Sequence, residues 1–389
     1  MLRKLVILMV IALAATSCSP KAEENNNDPE TENSGDLGSE SESTDNGSEV
    51  AENEDSDISG GDGLTGEDSQ GGGQGDVSED NQEDEVVIVD GVYSPLSGVL
   101  YEREQTENRP VSVMIDNHPS ARWQAGICKA EIVYECEVEY PYTRYMAVFM
   151  CEAPEHIGPV RSARPYYLRY ALEYDSMYVH VGGSQEALGT IVDYNMADLD
   201  GLTSGEFWRY YKTGKDIPNN MYTAMENIRS AQSYLKYRQT GNFEGFSFHE
   251  ELTGLDSLYE DAVECTDLKI TYNRSYAVDF EYSSDGDYKR YVNGERQIDE
   301  YYEEKINASN IIIQKVDKEV VDNYGRIHLN TVSEGTGYFI TDGKCIDITW
   351  KKDTYRSKTV YMDLSGDEII LNPGQTWIQV VSQDSTVEF

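Results

Sequence analysis

Two arginines three residues apart, Arg161 and Arg164, stand just before a segment in which Tyr167, Leu168, Ala171 and Leu172 recur at helical spacing. Ser162 is a helix-capping type, and Pro165 is tolerated in a first turn. Two guanidinium groups are therefore expected at a helix N-terminus, where unpaired backbone N–H groups already favour anions. This predicts a site for an anionic or polar ligand, with Asp116 nearby. The plainer alternative pairs both arginines with carboxylates at the core edge, such as Glu135 or Glu173.

Other reactive residue types surround that stretch. Met177-Tyr178-Val179-His180-Val181 reads as a strand, and Gly182-Gly183-Ser184-Gln185 then opens a helix through about Tyr194. Ser184 with His180 or His118 would suit a hydrolase, but Glu186 stands where the nucleophile-elbow motif needs its last glycine. A helix cap is the simpler role for Ser184. Asp116 and Glu135 are a second hydrolytic candidate, as a carboxylate pair. Glu135, Glu137 and Glu139 alternate onto one strand face. With Asp116, His118 and His180 they offer donors for a divalent cation, although a solvated strand face accounts for them more simply. No metal and no cofactor is assigned.

These residues need elements to position them. Arg109 to Asp116 reads as a buried strand ending in the turn Asp116-Asn117-His118-Pro119. Ala130 to Glu139 alternates, Thr143 to Met150 is apolar and β-rich, and Tyr140-Pro141 lies between them, so a hairpin is expected. Centred near Pro141, it places Cys151 opposite the Cys128–Ala130 end and Cys136 opposite about Tyr145. A Cys128–Cys151 bridge is then geometrically open, and Cys136–Cys151 is not. From about Leu268 onward short strands follow one another. Ser283-Ser284-Asp285-Gly286 and Thr341-Asp342-Gly343 are hairpin signals, and Trp350 and Trp377 read as core aromatics. The expected fold is α+β. A mixed α/β, sandwich-like domain spans 91–245, a connector spans 246–267, and a small mostly-β domain spans 268–389.

Composition sets the address. The first seventeen residues combine Arg3 and Lys4, an apolar run from Leu5 to Ala15, and small residues before Cys18. That is a signal peptide, too short in its apolar part to span a bilayer. Residues 18–90 are expected to be a lipidated Cys18 followed by a disordered acidic tether, since 19–90 hold 24 carboxylates and one lysine. A neutral coil of that length would span about 45 Å, and self-repulsion extends it. More than half of the net charge of −41 lies there. The rest of the chain is acidic too, which argues against nucleic acid as a partner. There is no CxxC pair, no P-loop and no GxGxxG. Five cysteines follow Cys18, an odd number that leaves at least one thiol unpaired or paired between chains.

Several blocks resemble the YerB-like lipoprotein family, the DUF3048 proteins. They are Arg109-Pro110-Val111 with Met114 to Pro119, Ala130 to Glu135, Thr143-Arg144 with Ala147-Val148-Phe149, Ile157 to Pro165, His180 to Ser184, and Leu371 to Val381. The likeness runs from about Pro95 to Val381. It implies a lipid-anchored, two-domain envelope protein on the extracytoplasmic face of the cell membrane, without an established activity. The block Pro218-Asn219-Asn220-Met221-Tyr222-Thr223 departs from the family pattern, which has histidine at the position of Asn219. Tyr140-Pro141 departs where a Gly-Gly-like turn is usual. The expected ligand-binding set is Arg161, Arg164, Asp116, His118, Glu135, His180, Ser184 and Asn220. The implied role is binding or scaffolding, with a cell-wall polymer or envelope protein as partner. The alternative is an envelope-polymer enzyme, either a hydrolase or a phosphotransferase similar in outline to the LytR-CpsA-Psr proteins.

Overall fold

A computed structural model describes residues 91–389 of the protein apart from Tyr324. The signal segment, Cys18 and the acidic stretch lie outside the described residues. In chain order the main strands are β1 (Val111–Asp116), β2 (Ile132–Glu137), β3 (Thr143–Phe149), β4 (Met177–His180), β5 (Asp198–Asp200), β6 (Val263–Glu264), β7 (Asp267–Asn273), β8 (Tyr276–Tyr282), β9 (Tyr288–Val292), β10 (Asn310–Val316), β11 (Glu334–Thr341), β12 (Lys344–Lys351), β13 (Thr376–Ser382) and β14 (Thr386–Glu388). The helices needed below are α1 (Pro165–Glu173), α2 (Gln185–Asp193) and α3 (Met225–Tyr234).

Runs such as Val111 to Asp116 and Ile311-Ile312-Ile313 are apolar on both strand faces, so they demand cover on both sides. They receive it in one large sheet ordered β6-β12-β11-β10-β13-β2-β3-β1-β4-β5. Every residue of β1, β2, β3 and β13 is buried. Side chains alternate between two cores, as the period of two requires. Tyr134, Met146, Ile312 and Ile378 pack with α1 and α2. Val133, Tyr145, Ile311, Ile313 and Trp377 pack with α3 and with the small sheet β9-β8-β7-β14. Trp350 and Trp377 are core residues, as expected.

The halves share the sheet. β13 lies parallel between β10 and β2, from Thr376 opposite Ile132 to Val380 opposite Cys136. The 246–267 stretch is more than a spacer, because it supplies β6, which pairs with β12 at one end of the sheet. Among the described residues, no helix is long and apolar enough to cross a membrane.

Three local expectations need correction. Helix α1 begins at Pro165 with Arg164 in the cap position, so Ser162 does not cap it. The β2–β3 hairpin forms, but its register puts Arg144, not Tyr145, opposite Cys136. Glu135 and Glu137 do not lie on a solvated face. Both are buried, because the second half of the chain covers that side. The expected turn Thr341-Asp342-Gly343 does join β11 to β12, with Asp342 and Gly343 both in the left-handed region a tight hairpin requires.

Candidate functional site

The polar centre is built where β1 ends, β3 begins and α1 starts. Asp116 is the last residue of β1, and its backbone N–H donates to the Pro159 carbonyl at 2.8 Å. Arg144 sits directly opposite Asp116 on β3. The chain from Pro159 to Arg164 runs alongside, pinned by Arg161 N–H donating to the Met114 carbonyl at 2.9 Å. Three guanidinium groups thereby meet two carboxylates. Arg161 Nε lies 3.0 Å from Asp116 Oδ2. Arg144 Nη2 lies 3.3 Å from Glu139 Oε2, and Arg164 Nε donates to Glu139 Oε1 at 2.8 Å. Arg144 also donates to the Ser162 carbonyl at 2.9 Å.

The balance of this cluster is one positive charge, in a chain whose total is strongly negative. Burial pulls the Arg144 guanidinium below its ordinary pKa, and Arg164 adds to that. Burial also pushes on Glu139 in the upward direction, but Arg144 and Arg164 outweigh it and hold the carboxyl below its ordinary value. The Arg161–Asp116 contact is close yet poorly aligned: neither Arg161 Nε nor Asp116 Oδ2 completes a hydrogen bond. The Arg161 side chain is 28 % exposed, the most accessible of the three arginines.

Arg164 lines a cleft of about 190 Å³ with Glu139, Tyr166, Ser184 and Glu186. Its other wall, Val321, Asp322, Arg326 and Ile327, comes from the second half of the chain. Arg161 is not among the lining residues of that cleft. A larger groove of about 780 Å³ lies on the outer face of the small sheet, among Asp267, Lys269, Asp279, Glu281 and Tyr291. It is an open strand face and contains none of the convergent groups described above, so its size does not make it the better candidate.

The remaining expected residues fall in separate places. Glu135 is sealed in the core. Its Oε2 is 2.6 Å from Arg290 Nη2, and its Oε1 accepts from Thr143 Oγ1 at 2.7 Å. Arg290 lies 4.1 Å above the Trp377 ring. Burial opposes the Arg290 charge, but Tyr145 and Glu135 outweigh it and push its pKa up. Glu173 is also committed, to Lys352 at 2.7 Å. Neither carboxylate is therefore the partner of Arg161 or Arg164, and Glu135 cannot act with Asp116 on an external substrate.

His180 is buried, with Nδ1 2.8 Å from the Gly182 carbonyl and Nε2 3.4 Å from Asp198 Oδ2. Ser184 caps α2, its Oγ accepting from the Ala187 N–H at 3.2 Å. His118 Nδ1 accepts from the Ser120 N–H at 3.1 Å, and its ring packs on Tyr142. Asn220 is buried, donating to the Lys215 carbonyl at 3.1 Å and accepting from Arg209 at 3.0 Å. Asp116, Arg161 and Arg164 thus come together, and Glu135, His180, Ser184 and Asn220 serve the scaffold. Among the described residues, no group of three or more His, Cys, Asp or Glu is placed to hold a metal ion. The Cys128–Cys151 bridge is not formed: the five described cysteines are free thiols. Cys128 is turned toward Asp299 and Cys151 toward Glu131.

Two polar groups escaped the sequence reading. Arg144 was hidden within an apolar strand run, where alternation alone gives it no role. Lys215 Nζ donates to Glu300 Oε1 at 2.6 Å, to Tyr222 Oη at 3.0 Å and to the Trp123 carbonyl. Burial lowers its pKa while Glu300 opposes the shift. Its three protons are all used, so it ties the halves together and is not free for chemistry.

The chain is similar in sequence and fold to known proteins. The candidate lipoprotein YerB of Bacillus subtilis (strain 168) is 32% identical over 300 residues, covering 74% of this chain and 86% of YerB. A crystal structure of the YerB protein from Bacillus subtilis superposes with a TM-score of 0.68 at 29% identity, covering 77% of this chain and 100% of that one. Residues 96–238 match the family described as protein of unknown function (DUF3048) N-terminal domain, and residues 268–378 match its C-terminal domain. With both halves matched in order, the chain belongs to the DUF3048 family.

Proposed function

We propose that the protein is a lipid-anchored binding or scaffold protein of the extracytoplasmic envelope, whose folded body holds an anionic or polar group at the Arg144–Arg161–Arg164 cluster. One observation carries the ligand site: three guanidiniums face two carboxylates at converging element ends, and the most exposed, Arg161, is the least well satisfied. The anchor rests on the residues around Cys18 and on the likeness to a candidate lipoprotein. The ligand class is a carboxylate- or phosphate-bearing envelope polymer or protein.

An envelope-polymer enzyme has less support. Ser184 is engaged as a cap, and Glu135 is sealed against Arg290. The test is calorimetric titration of the full chain with inorganic phosphate and with citrate, beside Arg161→Ala. Saturable heat whose affinity falls by on the order of tenfold or more in the variant supports the site, and identical curves for both proteins reject it. The anchor is tested by fractionation of cells carrying Cys18→Ser, which should release the protein from the membrane.

A further inference from the structure

We infer that Cys265 and Cys345 are a disulfide-forming pair that fastens the end of β6 to β12, at the point where the chain leaves the large sheet for the small one. The inference rests on the extracytoplasmic reading above, because disulfides persist in oxidising compartments. β6 and β12 are antiparallel, with Val263 opposite Cys345 and Glu264 opposite Lys344. The pairing continues one residue further, since Cys265 N–H donates to the Gly343 carbonyl at 2.8 Å. Residues two apart share a strand face, so Cys265 and Cys345 are diagonal neighbours on one side of the ladder. Both are 1% exposed and belong to the same apolar core. Burial pushes both thiols above their ordinary pKa, and Cys265 itself adds to the shift at Cys345.

The position gives the bond a purpose. Cys265 lies where the chain leaves β6 for β7, between the two sheets. Closing the bond draws the diagonal pair together by on the order of 1 Å. Each thiol loses its proton and one S–S bond forms. The two electrons and two protons pass to a small-molecule or protein disulfide, which leaves as two thiols. Buried neutral thiols exchange slowly, so the bond forms during folding, once β6 has met β12 and before the core closes over them. The other three have different neighbours. The Cys136 thiol lies against Tyr167, the Cys128 thiol against Asp299 and the Cys151 thiol against Ser94 and Glu131. They stay reduced.

The test refolds the full chain, solubilised in detergent, with oxidised and reduced glutathione. It is then denatured and alkylated with iodoacetamide, and read by intact mass and peptide mapping. The expected result is two fewer alkyl groups than on the reduced chain, with one linked peptide joining 265 to 345. Full alkylation, or a link elsewhere, overturns the pairing. Cys345→Ser should abolish the link without creating another. If that variant does not fold, the map of the unmodified chain still decides. The same map on protein alkylated in intact cells reports the compartment separately: a bond formed on refolding but absent in cells counts against the extracytoplasmic reading, not against the pair.

Discussion

At the scale of single residues, the cluster behaves as a charge balance that substitution can tip. Arg161→Ala removes the most accessible guanidinium and should weaken binding of an anionic probe by on the order of tenfold. Glu139→Gln removes a competing carboxylate and should strengthen it by on the order of fivefold. Opposite signs from neighbouring substitutions would be hard to obtain from general destabilisation. Acid should act in the same direction. Glu139 has a folded pKa held below its ordinary value, so its contribution to stability is present above the ordinary carboxylate range. It is lost as pH falls through the folded value, while protonation leaves the cluster more positive. Thermal scans across the acid limb should therefore show a shallower loss in Glu139→Gln than in the unmodified protein.

At the scale of elements, much was legible and the misses have physical causes. Alternation located β2, apolar β-rich composition located β3, and a hairpin turn located β8 and β9, because each needs only its own residues and a local turn. The Gly-Gly-Ser-Gln signal located α2 and its cap. Ser184→Ala should cost about 1 kcal/mol in stability, which denaturant unfolding will show. What could not be read was pairing at long range. Glu135 finds Arg290 across 155 residues of chain. Nothing in Glu135, Glu137 and Glu139 alone reveals that the second half will cover two of them. Arg290→Met strands Glu135 in the core and should cost about 3–5 kcal/mol. Adding Glu135→Gln should recover part of that loss, measured as a shift in the unfolding midpoint.

At the scale of the whole molecule, the two matched regions fold as one body. The family is described in two halves, yet the two build one sheet, with β13 of the second half lying directly beside β2 of the first. Lys215–Glu300, Glu173–Lys352 and Glu135–Arg290 cross the same boundary. A chain ended at residue 245 should therefore fail to fold alone, seen as absent dispersion in its NMR spectrum. Mixing it with residues 246–389 should restore part of that dispersion. The pairing of β13 with β2 also bears on timing. Ile132 waits for Thr376, so the seam between the two halves of the sheet can close only once nearly the whole chain is available.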